Sequence, residues 1–240
     1  MGYDDTYAKV KDYFGAEPEK IVRDHCHLLD KSRPVLDIGA GQGRHSLFLA
    51  RQGLSVDAVD SSSVALHEIS EAASRDNLPI HTYHCDFESF APGAGQRRGL
   101  VHVNDTQSGI SYSGVLLMGL MQVLSRNSLM RLVDKVNRWT AKGSLVFVTA
   151  FSDIDPFCVS TLWDRQFSHE AAQSGDWRVV GRNEFCDGRG HFMTYFEKDE
   201  ILELFPEYKI IHHWEGMGPL HRHGDGQEHC HGLIHAVFQK

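Results

Sequence analysis

After Pro34 the sequence alternates short apolar runs with amphipathic segments, and this alternation constrains the fold more than any other feature. Predicted strands lie in "PVLDIGAGQG" and at residues 54–60, 79–87, 112–120 and 144–151. Predicted helices lie between them, in "RHSLFLARQG" and at residues 62–77 and 126–143. Strands that alternate with helices form a parallel sheet covered on both faces, because crossover connections are right-handed. The sequence therefore predicts a doubly wound, Rossmann-like α/β fold.

The remaining segments are expected to extend this core within a single domain. Residues 5–30 show helical periodicity with a break near Gly15, and residues 196–240 predict a helix followed by two strands. Two excursions are too long for ordinary connections: 88–111, with a short strand at "GLVHV", and 152–195, which is expected to pack as a cap. The predicted organisation over 1–240 is an N-terminal helical lid at 1–30, a core at 31–151, the cap at 152–195, and a C-terminal helix and hairpin at 196–240.

Composition and charge argue against several classes of partner. The chain has 240 residues, 41% of them hydrophobic, which suits a folded domain. A net charge of -8, with 24 basic residues spread along the chain, argues against nucleic-acid binding, which needs a clustered basic face. No run approaches the roughly 20 apolar residues of a membrane span, and the acidic start differs from a secretory signal. We therefore expect no membrane partner, a cytoplasmic location, and free thiols at the five cysteines.

A glycine-rich turn connects the first predicted strand to the first helix of the core. It reads Asp37-Ile-Gly39-Ala-Gly41-Gln-Gly43, and glycines there permit positive φ and let backbone amides approach a ligand. Asp60 ends the second predicted strand, where a carboxylate can hold two ribose hydroxyls. The turn and the acid together predict a cofactor that contains a nucleoside.

The spacing of the glycines separates two kinds of cofactor. A dinucleotide fold has the pattern G-x-G-x-x-G, with the pyrophosphate at the helix N-terminus, whereas this turn reads G-x-G-x-G behind the strand residue Asp37. A carboxylate at that position would repel a pyrophosphate but would attract an ammonium group. S-adenosylmethionine carries such an ammonium group and no phosphate, so it is the cofactor that these residues favour.

The motifs "VLDIGAGQGR", "VDAVDSS", "CDF" and "YSGVLLMGLMQVL", in this order, resemble those of class I S-adenosylmethionine-dependent methyltransferases. The resemblance implies a seven-stranded sheet that ends in an antiparallel hairpin. It also implies that Asp37 and the glycines surround the methionine part, and that Asp60 binds the ribose. Asp86 and Phe87 would flank the adenine, and Met118 would line the methyl-transfer cleft. The predicted cofactor-binding residues are Asp37, Gly39, Gly41, Gly43, Arg44, Asp60, Ser61, Asp86, Phe87, Met118 and, from the N-terminal lid, Tyr13.

A narrower resemblance covers most of the chain. The segments "GRHSLFLARQGLSVDAVD", "DIDPFC" and "GPLHRHGDG", with "HAVFQK" at the end, resemble small methyltransferases of the tellurite-resistance type, a group with relatives for thiols and metalloids. The chain differs at His45, where that group usually has asparagine. Cys158 in "DPFC" is open to two interpretations, a buried structural cysteine or a soft contact for the acceptor. The resemblance implies a small, soft methyl acceptor.

The segment "LHRHGDGQEHCHGLIH", residues 220–235, holds five histidines and one cysteine in a predicted terminal hairpin. Residues two apart in a strand face the same way, so facing H-x-H pairs can direct several imidazoles at one ion. One interpretation is a divalent transition metal held by His221, His223, His229 and His231. A second, supported by the tellurite-type resemblance, is a metal-free catalytic pair in which His221 acts as a base and Arg222 holds an oxyanion. A solvated polar loop is the third.

The predicted function is transfer of a methyl group from S-adenosylmethionine to a small-molecule acceptor that is soft, such as a thiol or a selenium or tellurium species. A metal at the histidine hairpin is an optional component of this prediction. Two alternatives stay open. One is a small-molecule O- or N-methyltransferase with His221 as its base, and the other is a metal-responsive binding protein that keeps the cofactor fold without turnover.

Overall fold

The computed structural model describes residues 3–93, 111–160, 177–222, 226 and 228–240. Its strands are, in chain order, β1 (Val35–Ile38), β2 (Val56–Asp60), β3 (Ile80–His84), β4 (Tyr112–Met118), β5 (Thr140–Phe151), β6 (Arg178–Gly181), β7 (Glu184–Cys186), β8 (Phe192–Thr194), β9 (Lys209–Met217) and β10 (Gly232–Gln239). Seven strands form the main sheet in the order β3-β2-β1-β4-β5-β10-β9. The pairs β1–β2, β2–β3 and β1–β4 are parallel, and β9–β10 is antiparallel. The predicted α/β class, the seven-stranded sheet and the terminal hairpin are therefore confirmed.

The helices lie largely where the apolar periodicity predicts them. They are α1 (Tyr3–Tyr7), α2 (Lys20–His25), α3 (Arg44–Arg51), α4 (Ser63–Asp76), α5 (Arg126–Trp139) and α6 (Glu200–Glu203), with 3-10 turns at Cys26–Leu28 and Met121–Val123 and a helical segment at 156–160. Helix α4 also has a local signal at each end. The Ser62 hydroxyl accepts the Ala65 N–H at its start, and Asn77 ends it in the left-handed conformation. Within the described ranges, no helix is long and apolar enough to cross a membrane.

The chain divides into two compact units, here called the first unit and the second unit. The first unit comprises Met1–Leu116, Asp134–Val146 and Lys240, and the second comprises Leu117–Val133 and Phe147–Gln239. In the first unit, a core cluster joins the glycine turn to β2 and α4 through Ala40, Ala58, Leu66 and Ile69. This packing holds the carboxyl ends of β1 and β2 side by side.

The second unit contains a small sheet that the sequence did not predict. Strands β6, β7 and β8 pair antiparallel within the segment interpreted as a cap. Phe185 of β7 and Tyr195, directly after β8, pack with Cys158 into a buried cluster. The strands are only three or four residues long, too short for an alternating pattern to stand out.

Two predicted boundaries differ from the structure. The N-terminal segment is helical only in α1, α2 and the 3-10 turn. Between α1 and α2, side chains of Gln42, Arg44 and His45 hydrogen-bond to the backbone of residues 10–19. Strand β5 begins at Thr140, directly after α5, whereas the sequence predicts helix as far as Gly143. The Gly143 N–H donates to the Lys240 carbonyl at 2.7 Å, so the last residue of the chain draws this stretch into the sheet. The predicted strand at 99–103 lies outside the described residues.

Candidate functional site

The glycine turn after β1 has the backbone conformation that its sequence predicts. Gly39, Gly41 and Gly43 have φ values of 71°, 52° and 84°, a region that other residues rarely occupy. A Cβ at Gly43 would lie 2.5 Å from Cγ1 of Ile69 in α4, so only glycine lets the turn pack this closely. The Gly39 and Ala40 N–H groups donate to the Val59 carbonyl, which ties the turn to the end of β2.

Asp60 joins the glycine turn at the end of β2. One of its oxygens accepts the Gly41 N–H at 2.8 Å, and the other accepts the Ser62 N–H at 2.8 Å. Burial raises the pKa of the Asp60 carboxyl, and the backbone N–H groups of Ser62, Gly41 and Ser61 oppose that shift. The acid predicted to bind ribose therefore lies in contact with the turn predicted to surround the methionine part.

Asp37 lies inside β1 and is buried. Its Oδ2 accepts the Ser46 hydroxyl at 2.6 Å, a partner supplied by the first turn of α3. Burial raises the pKa of Asp37 to about 6, since the Ser46 hydrogen bond offsets only part of the lost solvation. A cation near this carboxyl would therefore favour its charged form.

Aromatic residues of the N-terminal segment lie over the glycine turn, and the sequence assigned only part of this arrangement. A Cβ at Gly41 would lie 3.2 Å from the hydroxyl of Tyr7, which is buried. Tyr3 stacks on Tyr7 with ring centroids 5.5 Å apart. Burial, with the nearby Asp60 charge, raises the pKa of the Tyr7 hydroxyl, so it stays protonated and can donate a hydrogen bond.

Three side chains in and directly after the glycine turn, those of Gln42, Arg44 and His45, hold residues 10–19 against it. The Gln42 amide donates to the Val10 carbonyl at 3.1 Å and accepts the Tyr13 N–H at 2.8 Å. Arg44 donates to the Phe14 carbonyl at 2.9 Å and pairs with Glu19. The ring of His45, the residue that departs from the family pattern, accepts the Glu19 N–H at 3.3 Å. Burial lowers the pKa of His45 well below its usual value, so the ring is neutral at pH 7.

The other predicted cofactor residues lie in varied surroundings. Asp86 is exposed, and the Ser89 N–H donates to it at 2.7 Å and lowers its pKa. Phe87 is buried beside it, and Ser61 is exposed. Met118, at the end of β4 in the second unit, is 8% exposed. Cofactor contacts of these four residues stay predictions.

The histidine hairpin, defined as residues 219–222 and 228–231, brings together three of the four predicted metal ligands. His221, His229 and His231 each offer one ring nitrogen, and these nitrogens all lie within 4.8 Å of one another. His223 lies outside the described residues. Arg222, predicted to hold an oxyanion, pairs with Glu228 at 3.1 Å, and both side chains are more than half exposed.

Asp155 is the residue of this region that the sequence interpretation missed. Its carboxylate is buried and accepts the His231 Nδ1–H at 2.8 Å and the Gly232 N–H at 3.0 Å. The other oxygen accepts the Phe157 N–H at 2.8 Å, as an N-cap does. The Asp-Pro pair at 155–156 is a helix-start signal, so the sequence could have placed the carboxylate, although not its histidine partner.

The surroundings of Cys158 are those of a structural cysteine in a protein core. It is fully buried among Phe185, Tyr195 and other aromatic side chains. Burial raises the pKa of its thiol to about 12, so it is protonated at neutral pH. A thiol in this state is a poor soft ligand, which favours the structural interpretation.

Comparisons with known proteins identify the domain around the turn. Residues 35–143 match a family model described as a methyltransferase domain. A curated relative from Haemophilus influenzae, named probable S-adenosyl-L-methionine-dependent methyltransferase TehB, is 21% identical over 222 residues. The aligned region is 90% of this chain and 61% of the relative, so the chain spans less than two thirds of that protein's length.

Solved structures share the fold at low sequence identity. The crystal structure of TehB from Haemophilus influenzae has a TM-score of 0.62 and 19% identity, with 99% of this chain and 66% of that chain covered. A Burkholderia thailandensis 1,6-didemethyltoxoflavin-N1-methyltransferase, with bound 1,6-didemethyltoxoflavin and S-adenosylhomocysteine, has a TM-score of 0.59 and 15% identity. That match covers 100% of this chain and 91% of the other. The shared architecture agrees with the family match.

Proposed function

We propose that this chain, which carries a class I S-adenosylmethionine-dependent methyltransferase domain, transfers a methyl group from that cofactor to a small soft acceptor. The observation that carries the proposal is the 2.8 Å hydrogen bond from the Gly41 N–H to the Asp60 carboxylate. It joins the glycine turn to the acid of the neighbouring parallel strand, the two parts that a nucleoside cofactor uses at the carboxyl ends of strands. The Burkholderia enzyme of similar fold, with S-adenosylhomocysteine bound, supports the cofactor assignment.

The residues of the first unit fit S-adenosylmethionine. Besides the backbone N–H groups that it accepts, the Asp60 carboxylate, with about four lone pairs, has acceptor capacity left for the ribose. Asp37, buried and with a raised pKa, would gain from an ammonium group at the turn, directly or through water. The Tyr7 hydroxyl, near Gly41, would contact the methionine part. Arg44, Ser61 and Tyr13 belong to the same proposed site.

The chemistry explains why a soft acceptor asks little of the protein. S-adenosylmethionine supplies a methyl carbon that its sulfonium charge already activates. A thiolate, selenide or telluride donates the electron pair of the new bond, and the pair of the broken carbon–sulfur bond stays with sulfur. Because such an acceptor is ionised beforehand, the chain needs only to position it and exclude water. The motif resemblance to methyltransferases of the tellurite-resistance type supports this acceptor class.

A second candidate, an O- or N-methyltransferase with a histidine base, is favoured by one specific contact. The His221 Nδ1 lies 3.0 Å from the Pro219 carbonyl, which can only accept a hydrogen bond. Nδ1 therefore carries the proton, and Nε2 carries the lone pair that a base needs. A hydroxyl or a protonated amine would lose its proton to such a base, and in the case of a hydroxyl Arg222 would then hold the oxyanion.

Methyl-deuterated S-adenosylmethionine separates these candidates. The protein is incubated with a panel of thiols, selenite with reductant, tellurite with reductant, catechols and amines, and products are identified by mass spectrometry. We expect labelled soft products in equal amount to S-adenosylhomocysteine, with rates that follow the pKa of each thiol tested. Labelled O- or N-methyl products alone would establish the second candidate. Metal binding without cofactor binding would establish the metal-responsive alternative.

A further inference from the structure

The geometry of the histidine hairpin points three imidazoles at one another. His221 and His229 exchange two backbone hydrogen bonds of 2.9 Å across the hairpin, so their side chains project from the same face. His231 lies two residues beyond His229 and shares its face. The ring centroids are 4.6 Å apart for His221 and His229, 5.3 Å for His221 and His231, and 4.9 Å for His229 and His231. Backbone pairing thus produces the cluster.

Contacts around the cluster determine which nitrogen of two rings carries the lone pair. The His231 Nδ1 lies 2.8 Å from the buried Asp155 carboxylate, and the His221 Nδ1 lies 3.0 Å from the Pro219 carbonyl. Both partners only accept hydrogen bonds, so each Nδ1 carries a proton and each Nε2 presents its lone pair. Histidine ligands of metal sites are oriented in this way, by a carboxylate or a backbone carbonyl.

The ring of His231 is held on its other sides as well. It stacks on Phe151 with centroids 4.4 Å apart and planes inclined by 27°. Asp155 is itself fixed by the N–H groups of Gly232 and Phe157. One ligand of the cluster is therefore held rigidly, and the half-buried His221 and His229 lie beside it.

We infer that His221, His229 and His231 bind one divalent transition metal ion, with Zn²⁺ as the simplest case. Imidazole nitrogens suit zinc, copper and nickel, whereas magnesium and calcium take oxygen ligands. Tetrahedral zinc with bonds of about 2.0–2.1 Å to nitrogen needs ligand atoms roughly 3.4 Å apart, so small side-chain rotations within the 4.8 Å cluster suffice. Three protein ligands leave one position open, as in catalytic zinc sites.

The open position defines the class of ligand that the site takes. Three neutral imidazoles leave the full double positive charge on the ion, so the fourth ligand is an anion or a polarised water. A borderline metal takes a thiolate well and binds it deprotonated at neutral pH. The metal site goes beyond the proposed methyl transfer and does not depend on it. That its exogenous ligand is the thiol acceptor rests on the proposed function.

Cobalt titration of chelator-treated protein tests this inference. Co²⁺ in a tetrahedral nitrogen site gives visible absorption bands, and Zn²⁺ affinity is then measured by competition. We expect one ion per chain, with binding at least about 100-fold weaker in His229→Ala, which keeps the backbone pairing but removes a ligand. Asp155→Asn should weaken binding about 10- to 100-fold by releasing His231. Circular dichroism and melting of each variant show whether it is folded.

His191→Ala is the matched control. His191 Nδ1 pairs with Asp187 at 2.8 Å, the same contact that Asp155 makes with His231, but it is not part of the three-histidine group. This variant should bind the metal as the wild type does. Equal affinity in wild type and folded His229→Ala, or loss of binding in His191→Ala, would overturn the site.

A second titration keeps this inference distinct from the proposed function. S-adenosylhomocysteine is titrated into the metal-free wild type by calorimetry. Cofactor binding without cobalt binding would refute the metal site alone. Cobalt binding without cofactor binding would refute the proposed function alone. Addition of a small thiol to the cobalt form should then introduce a sulfur-to-cobalt charge-transfer band, and its absence would contradict the thiolate ligand.

Discussion

The glycine turn of the first unit and the histidine hairpin of the second unit are candidate ligand sites of two different kinds. The turn is made mainly from backbone: three glycines have positive φ, and the Gly41 N–H donates to Asp60. The hairpin is made from side chains, and the carboxylate that orients His231 comes from a residue 76 positions earlier in the chain. A backbone site is therefore encoded locally, whereas a side-chain site depends on a partner that the fold supplies.

The largest expected effect tests how strongly the turn depends on glycine at its left-handed positions. Gly43→Ala should lower the free energy of unfolding by about 3 kcal/mol, because it adds left-handed strain and a contact with Ile69. Gly15→Ala is the matched control: its φ is +86°, yet nothing lies within 4 Å of the added Cβ. It should cost only the strain, about 1 kcal/mol. Urea denaturation measures both, and equal losses would show that close packing at Gly43 is unimportant.

A smaller effect, on how stability changes with pH, distinguishes the buried Asp37 from the exposed Asp86. The folded-state pKa of Asp37 is about 6, above its unfolded value, so its contribution to stability is present at low pH and is lost as pH rises from about 4 to 6. Asp37→Asn removes this loss, so its stability relative to wild type should increase by about 2 kcal/mol between pH 4 and pH 7.5. Urea unfolding at the two pH values checks the prediction.

Asp86→Asn serves as the control for this pH effect. The pKa of Asp86 is lowered, not raised, so the wild type can only gain stability from this group as pH rises, and the relative stability of Asp86→Asn should show at most a small decrease, opposite in sign to that of Asp37→Asn. If the difference in stability between Asp37→Asn and the wild type does not change with pH, the Asp37 carboxyl is solvated well enough to keep an ordinary pKa.

The smallest stability effect concerns the hairpin. Arg222→Ala should change the free energy of unfolding by less than about 0.5 kcal/mol, because the Arg222–Glu228 pair is exposed. Methyl transfer should nevertheless fall at least about tenfold if Arg222 acts on the acceptor as predicted. Arg51→Ala, which removes an exposed pair with Asp76 in the first unit, should leave both quantities unchanged. Unchanged turnover in Arg222→Ala would remove Arg222 from the catalytic residues.

Sequence reasoning predicts the fold and the turn well for a physical reason. Apolar periodicity and glycine spacing act over a few residues, so the strands around Asp37 and Asp60 and their cofactor preference can be read directly. The same holds for His229 and His231: they lie two residues apart, so strand alternation predicts that they share one face. These predictions need no knowledge of distant contacts.

The parts that sequence reasoning missed depend on long-range contacts. Nothing near His231 in the sequence indicates that its Nδ1 donates to Asp155. The small sheet of β6 to β8 escaped because its strands are too short to show a pattern. His45 was recognised as a departure from the family, but its hydrogen bond to the Glu19 N–H required the fold.

Calorimetric titration with S-adenosylhomocysteine tests the central claim most directly. The wild type should bind one molecule per chain, and Asp60→Ala should weaken binding by about 3 kcal/mol, or roughly 150-fold, because two charge-assisted hydrogen bonds to the ribose are lost. Asp76→Ala, an acid at the end of α4, is the control and should bind as wild type does. Absence of binding to the wild type, or equal binding by folded Asp60→Ala, would contradict the account.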